Sequence, residues 1–279
     1  MKKISAAFDG LRFSDGTLQY AIKIAEASKA LLSGVFLESF LYHGYKLNDM
    51  VGEHGISEVK MKHLAEKDNE VRLKSADLFK DTCKKEHINY TIHHDKNFAE
   101  LELLRESIYS DLILISADET LSQITTPRPT PFIRQFLAET QCPALIVPRV
   151  YKPIKKVILL FDGKPSSVFA IKMFNYLMPW LRSMATEVVS VTDPDDKSPL
   201  PDETLLREFI QCHYPEATYT LLKGNPEQAI ITYLKSIDHD FLVVLGAYHR
   251  SQVSRWFKTS LADILMKEID MPLFVAHNK

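Results

Sequence analysis

The chain of 279 residues carries an internal repeat the size of a domain. Phe8-Asp9-Gly10 closes an apolar run near the N-terminus, and Phe161-Asp162-Gly163 closes another at an offset of 153. Ser107-Ile108-Tyr109-Ser110-Asp111-Leu112-Ile113-Leu114-Ile115 is echoed by Ser236-Ile237-Asp238-His239-Asp240-Phe241-Leu242-Val243-Val244 at an offset of 129. The second offset also carries Cys142-Pro143-Ala144-Leu145-Ile146-Val147 onto Met271-Pro272-Leu273-Phe274-Val275-Ala276. A period this long excludes a solenoid and leaves two homologous domains in tandem. The two offsets differ by 24, so the first copy holds extra residues between Gly10 and Ser107. The stretch from about His43 to Glu66 has no counterpart in the second copy and is the expected insertion. Pro148-Arg149-Val150-Tyr151-Lys152-Pro153 is a proline-bounded joint, which divides the chain into residues 1–149 and 150–279.

Within each copy, short apolar runs alternate with helical periodicity. The first copy is expected to hold strands at 3–8, 31–37, 88–93, 112–116 and 144–147. Its helices follow Ser14, a plausible cap, and span about 56–86, 98–109 and 132–139. The second copy is expected to hold strands at 156–161, 187–191, 218–222, 241–245 and 273–276, with helices at 167–181, 201–212, 226–237 and 260–269. Each half therefore reads βαβαβαβαβ. Right-handed crossovers turn that order into a doubly wound parallel sheet. The expected fold class is α/β, two tandem doubly wound parallel five-stranded sheets.

Bulk properties narrow the function. The net charge of −2 lacks the basic excess of a nucleic-acid-binding surface. No apolar run approaches the roughly 18 residues of a membrane span. Asp9 interrupts the first apolar stretch too early for a signal-peptide core. Cys83, Cys142 and Cys212 are odd in number and scattered, which suits reduced thiols in the cytoplasm. His93-His94-Asp95 is the densest histidine cluster, and His43, His54 and His63 lie in or near the insertion. None of them has ligand spacing, and no metal is expected. No nucleophile elbow or Walker loop is present, so no catalytic residue is assigned.

Ligands of open α/β sheets sit beyond the carboxyl ends of the strands, at the point where strand order reverses. Asp9-Gly10 and Asp162-Gly163 follow the first strand of each copy. Each pair is either a ligand contact or a plain turn. After the fourth strand the second copy reads Gly246-Ala247-Tyr248-His249-Arg250, then reaches Thr259-Ser260 at a helix start. A hydroxyl at a helix N-terminus, with His249, Arg250 and Arg255 near it, is either an anion site or an ordinary cap beside solvated charges. Pro127-Arg128-Pro129-Thr130-Pro131 is a stiff loop over the first cleft.

The tandem strand-helix order, the Asp-Gly pairs and the Cys142-Pro143 and Met271-Pro272 pairs before the last strands resemble universal stress proteins in their two-copy form. The resemblance implies a Rossmann-like sheet of the adenine nucleotide α-hydrolase-like kind. The ATP-binding branch of that family has Gly-x2-Gly-x9-Gly-[Ser/Thr] after strand four. In the second copy Gly246 and Ser260 match, whereas His249 and Thr259 replace glycines. In the first copy Ala117, Thr120, Thr130 and Pro131 stand at the four positions. Side chains at glycine positions crowd a triphosphate, and Pro131 removes a backbone donor.

The resemblance implies a cytoplasmic regulatory or small-molecule-sensing protein whose ATP binding is weak or absent. ATP or another adenine nucleotide would go to the second cleft, on Asp162, Gly163, Val191, Gly246, His249, Arg250, Thr259 and Ser260. The first cleft, around Asp9, Gly10 and Ser116, would take a smaller or apolar ligand. Two other readings stay open: an ATP-binding or ATP-hydrolysing protein using the second cleft, and an interaction scaffold using the long charged helix. The resemblance also implies that the two copies pair through their last strands; whether a homodimer forms is open.

Overall fold

The computed structural model describes residues 1–38, 51–52, 55–56, 58–95, 98–122, 125–192, 203–246 and 260–278. Strands and helices alternate through both halves. The first half runs β1 (Lys3–Asp9), α1 (Asp15–Ser28), β2 (Leu31–Leu37), a two-stranded ribbon of β3 (Val51–Gly52) and β4 (Gly55–Ile56), α2 (Glu58–Lys85), β5 (Tyr90–Asp95), α3 (Ala99–Ile108), β6 (Leu112–Ser116), α4 (Pro131–Glu139) and β7 (Ala144–Val147). The second half runs β8 (Lys156–Leu160), α5 (Pro165–Leu177), β9 (Ala185–Thr192), α6 (Glu203–His213), β10 (Thr218–Lys223), α7 (Pro226–Lys235), β11 (Phe241–Gly246), α8 (Leu261–Glu268) and β12 (Leu273–Ala276).

The two five-stranded sheets join edge to edge through their last strands, β7 and β12, into one ten-stranded sheet in the order β10-β9-β8-β11-β12-β7-β6-β1-β2-β5. Neighbours within each half are parallel. The seam between halves is antiparallel, with Leu273 opposite Ile146, Phe274 opposite Leu145 and Val275 opposite Ala144. Antiparallel pairing of two like strands relates the halves by an approximate two-fold axis, the self-complementary geometry of a dimer built into one chain.

Side-chain alternation along the strands divides the core between the two faces of the sheet. Ile4, Ala6 and Phe8 of β1 join Val157 and Leu159 of β8 and Phe274 of β12 in one cluster. Ala7, Ile113 and Ile115 join Ile158, Val243 and Val275 in the other. Each cluster runs through both halves, so neither half closes its core alone. The segment between halves is also held down. The backbone N–H of Gly16 donates to the carbonyl of Arg149 at 3.0 Å. The Tyr20 hydroxyl donates to the carbonyl of Lys152 at 2.8 Å.

Two local features differ from the sequence reading. The helix expected to reach Leu181 stops at Leu177, and a 3-10 turn covers Pro179–Ser183. Pro179 lacks a backbone donor and disfavours helical geometry at Met178, which turns out of the helix at φ −124°, ψ 55°. The extra length of the first half reaches beyond the stretch from His43 to Glu66, because it includes much of α2. That helix has 28 residues against 11 in α6. Its buried residues, Ser75, Ala76, Phe79 and Cys83, all lie in its C-terminal half. Of the expected insertion, residues 43–50, 53–54 and 57 lie outside the described residues.

Candidate functional site

From β1 the chain winds outward through β2 to β5. It then returns across the other face to β6, on the opposite flank of β1. The loops after β1 and β6 therefore part, and a cavity of about 150 Å³ lies between them. Asp9, Arg12 and Ser14 line it from the β1–α1 loop. Ser116, Asp118, Glu119, Thr120, Thr125 and Thr126 line it from the β6–α4 loop, and Arg149 lies at the end of β7.

Local hydrogen bonding sets the walls. Asp9, only 3% exposed, accepts the backbone N–H of Leu11 at 2.8 Å. This is the turn that Asp-Gly favours, closed by the aspartate side chain. Ser14 caps α1 by accepting the Thr17 N–H at 3.2 Å. Arg12 reaches across and donates to the carbonyl of Ser122. On the facing loop, Ser116 accepts the Asp118 N–H at 3.3 Å.

Glu119 is 7% exposed and lines the same cavity. The N–H groups of Thr120 and Leu121 both donate to its Oε1, at 3.0 Å each. Leu121 stands at φ +48°, a left-handed conformation that turns the loop back over the carboxyl group. Burial, with the negative charge of Asp9 second, pushes the Glu119 carboxyl up to about 7. The two backbone donors and the Arg12 guanidinium pull the other way.

The far side of the loop is locked. The Thr130 hydroxyl donates to the Glu119 carbonyl and accepts the Ile133 N–H at 3.2 Å. Pro131 opens α4 without a donor. The helix N-terminus that could receive phosphate is thus occupied by its own cap.

Asp9 and Ser116, expected near the first ligand, meet in this cavity. Gly10 does not line it. Its carbonyl accepts the Ser75 hydroxyl at 2.8 Å, and a Cβ there would lie 3.0 Å from Arg72 Cγ. The sequence reading missed Arg12, Asp118, Glu119, Thr125, Thr126 and Arg149 as wall residues. Asp118 and Glu119 stand just after a switch-point strand, and that position is their signal in the sequence.

In the second half, Asp162 makes the same turn as Asp9, accepting the Lys164 N–H at 3.0 Å, but it is exposed. Gly163 stands at φ +76°, which favours glycine. Val191 is half-buried near the end of β9 and packs on one core cluster. Gly246 ends β11 against the first turn of α5. A Cβ there would lie 2.4 Å from the carbonyl carbon of Ser166. Ser260 caps α8 by accepting the Ala262 N–H at 3.3 Å. His249, Arg250, Arg255 and Thr259 lie outside the described residues.

The histidine cluster at the end of β5 is split by strand alternation. His93 Nδ1 lies 2.5 Å from Glu106 Oε1, whereas His94 stacks on Phe36 at 5.6 Å. Among the described residues, no group of three His, Cys, Asp or Glu side chains is placed to hold a metal ion. No helix among them is long and apolar enough to cross a membrane. The cysteines are free. Burial pushes the Cys83 thiol up to about 12, while Cys212 is exposed.

No protein-family model and no curated protein matches the sequence. The fold matches solved structures over nearly the whole chain. A universal stress protein from Archaeoglobus fulgidus DSM 4304 superposes with a TM-score of 0.69, over 99% of this chain and 98% of that one, at 15% identity. A putative universal stress protein from Pseudomonas aeruginosa UCBPP-PA14 gives 0.59 over 99% and 92%, at 14% identity. The cytoplasmic domain of a prokaryotic cation chloride cotransporter gives 0.54 over 99% and 95%, at 9% identity. The chain has the tandem universal stress protein fold.

Proposed function

We propose that this chain is a regulatory protein of the universal stress type that senses a small molecule, and that its ATP binding is weak or absent. The observation that carries the reading is the first-half cavity. It lies at the switch point of the sheet, where this class of fold binds ligands. Its volume of about 150 Å³ is well below the roughly 300–1,000 Å³ of sites for drug-sized ligands. Two buried acids face it, and a polyphosphate next to them would meet like charge. Thr130 and Pro131 supply no open amide array for phosphates. The cotransporter domain is a reminder that this fold also serves proteins of other kinds. The reading therefore rests on the site and not on the fold alone.

Calorimetric titration of the whole chain with magnesium ATP, together with analysis of nucleotide that co-purifies, tests this. The expected result is no co-purifying nucleotide and no binding tighter than the millimolar range. ATP binding near micromolar affinity, about −8 kcal/mol, would overturn the reading.

A further inference from the structure

We propose that a groove between α5 and the turn leading into β7 docks a short, non-helical segment of a partner protein, uncharged and built around one aromatic side chain. The groove shares no lining residue with the cavity between β1 and β6. Its role does not rest on the sensing function.

The groove has a volume of about 370 Å³. Phe169, Met173 and Leu177 line it from α5, and Asp111, Gln141 and Pro143 line it from the loops before β6 and β7. It runs beside the seam, because Pro143 leads directly into β7. Phe169 and Met173 are only half-buried, although both pack on a core cluster. The repeat shows what covers such a surface. Phe169, Met173 and Leu177 align at the offset of 153 with Gly16, Tyr20 and Ile24 of α1. Asp111, Gln141 and Pro143 align at 129 with Asp240, Asp270 and Pro272. On that side the segment joining the halves lies across α1, and its residues 151–155 are neither helix nor strand. Tyr151 packs on Tyr20 with ring centroids 4.7 Å apart. The Tyr20 hydroxyl donates to the Lys152 carbonyl and accepts the Lys152 N–H at 3.1 Å. Lys152 Nζ lies 3.1 Å from Asp270 Oδ2. Tyr20 is fully buried beneath this segment, unlike its counterpart Met173.

The differences between the two seats define the occupant. Phe169 stands where Gly16 lets the backbone of Arg149 pass, and even a Cβ at Gly16 would lie 2.3 Å from the Pro148 carbonyl oxygen. The chain leaving β12 therefore cannot cross α5 as the linker crosses α1, and the seat is left to another chain. Met173 has no hydroxyl with which to grip a backbone, but its flexible thioether packs well on aromatic rings. Gln141 replaces Asp270, the acid that holds Lys152. The Asp111 carboxylate accepts the backbone N–H groups of Lys2 and Lys3. A charged segment would thus lose water here without gaining a partner. An uncharged segment with one aromatic anchor matches both the apolar surface and its lack of charge.

The test is selection of peptides from a random displayed library on the full chain, followed by fluorescence anisotropy of the selected peptides made synthetically. The expected peptides share one aromatic residue flanked by uncharged ones. Met173→Glu should weaken their binding about tenfold or more, and Leu101→Glu, on the exposed face of α3, should leave it unchanged. Gln141→Asp reinstates the acid found at Asp270. It should shift preference about threefold towards a peptide copying residues 150–154, where lysine follows tyrosine, over the same peptide with glutamine for that lysine. Gln141 is exposed, so this variant folds even if Met173→Glu does not. No selected peptide, or peptides indifferent to both Met173→Glu and Gln141→Asp, overturns the proposal. Sedimentation of the chain alone tests the other occupant. A concentration-dependent dimer abolished by Met173→Glu would give the groove to a second copy and overturn the peptide assignment.

Discussion

Arg128 holds Asp118 in a two-pronged ion pair, with Nε and Nη2 each 2.6 Å from a carboxylate oxygen. Its remaining nitrogen, Nη1, lies 2.7 Å from Asp270 beyond α8. One guanidinium therefore ties the wall of the first cavity to the second half of the chain. Lysine cannot reproduce this fork. Arg128→Lys should cost about 1–2 kcal/mol in chemical unfolding, discounted for the partial exposure of the partners. Asp270→Asn should cost less, because Asp118 keeps its grip. Equal stability of Arg128→Lys and wild type would show that the fork contributes nothing.

Glu119 makes stability depend on pH in a definite sense. Its carboxyl is pushed up to about 7 in the fold, against an ordinary value near 4.5. Between those values the folded chain keeps a proton that the unfolded chain has released. The Glu119 contribution therefore falls as pH rises through this window and is lowest above it. Glu119→Gln removes the dependence. Denaturation of both forms across the window should show the variant gaining on wild type as pH rises. Parallel curves would rule out the shift.

The seam between halves should make unfolding a single event. Phe274 is fully buried in β12 and meets Phe174 edge-on at 5.3 Å. Both core clusters cross the seam. Phe274→Ala should cost about 3–5 kcal/mol and shift one common transition. Differential scanning calorimetry resolving two transitions, with only one displaced, would contradict the joint core.

Two glycines are needed where backbones meet. A Cβ at Gly246 would lie 2.4 Å from the Ser166 carbonyl carbon, and one at Gly16 would lie 2.3 Å from the Pro148 carbonyl oxygen. Alanine at Gly16 would ordinarily favour the helix by about 1 kcal/mol. Each alanine variant should instead destabilise, by about 1–3 kcal/mol in urea unfolding. A more stable Gly16→Ala variant would mean the approach relaxes freely.

The architecture was legible because duplication gave two readings of every element. Apolar strands such as residues 31–37 and 112–116 could hardly be placed otherwise, and Ser14 does cap α1. The continuous sheet was legible only through the family resemblance, which implied pairing of the last strands, since nothing local to Leu145 or Phe274 names its partner across the seam. The cavity was half legible. Asp9 and Ser116 follow from strand ends and the switch-point rule. Glu119, Thr126 and Arg149 gather only through the left-handed turn at Leu121 and the course of the chain after β7. Gly246, singled out beside a phosphate loop, has a packing role against α5 that sequence spacing does not reveal.

The most direct measurement is native mass spectrometry of the chain purified without denaturation, as wild type and as Thr126→Trp, which fills the first cavity. The expected result is an adduct lighter than any mononucleotide on wild type, lost in Thr126→Trp. An adenine-nucleotide adduct lost in Thr126→Trp, or a small adduct kept by Thr126→Trp, would contradict the assignment of the first cavity as a small-molecule sensing site.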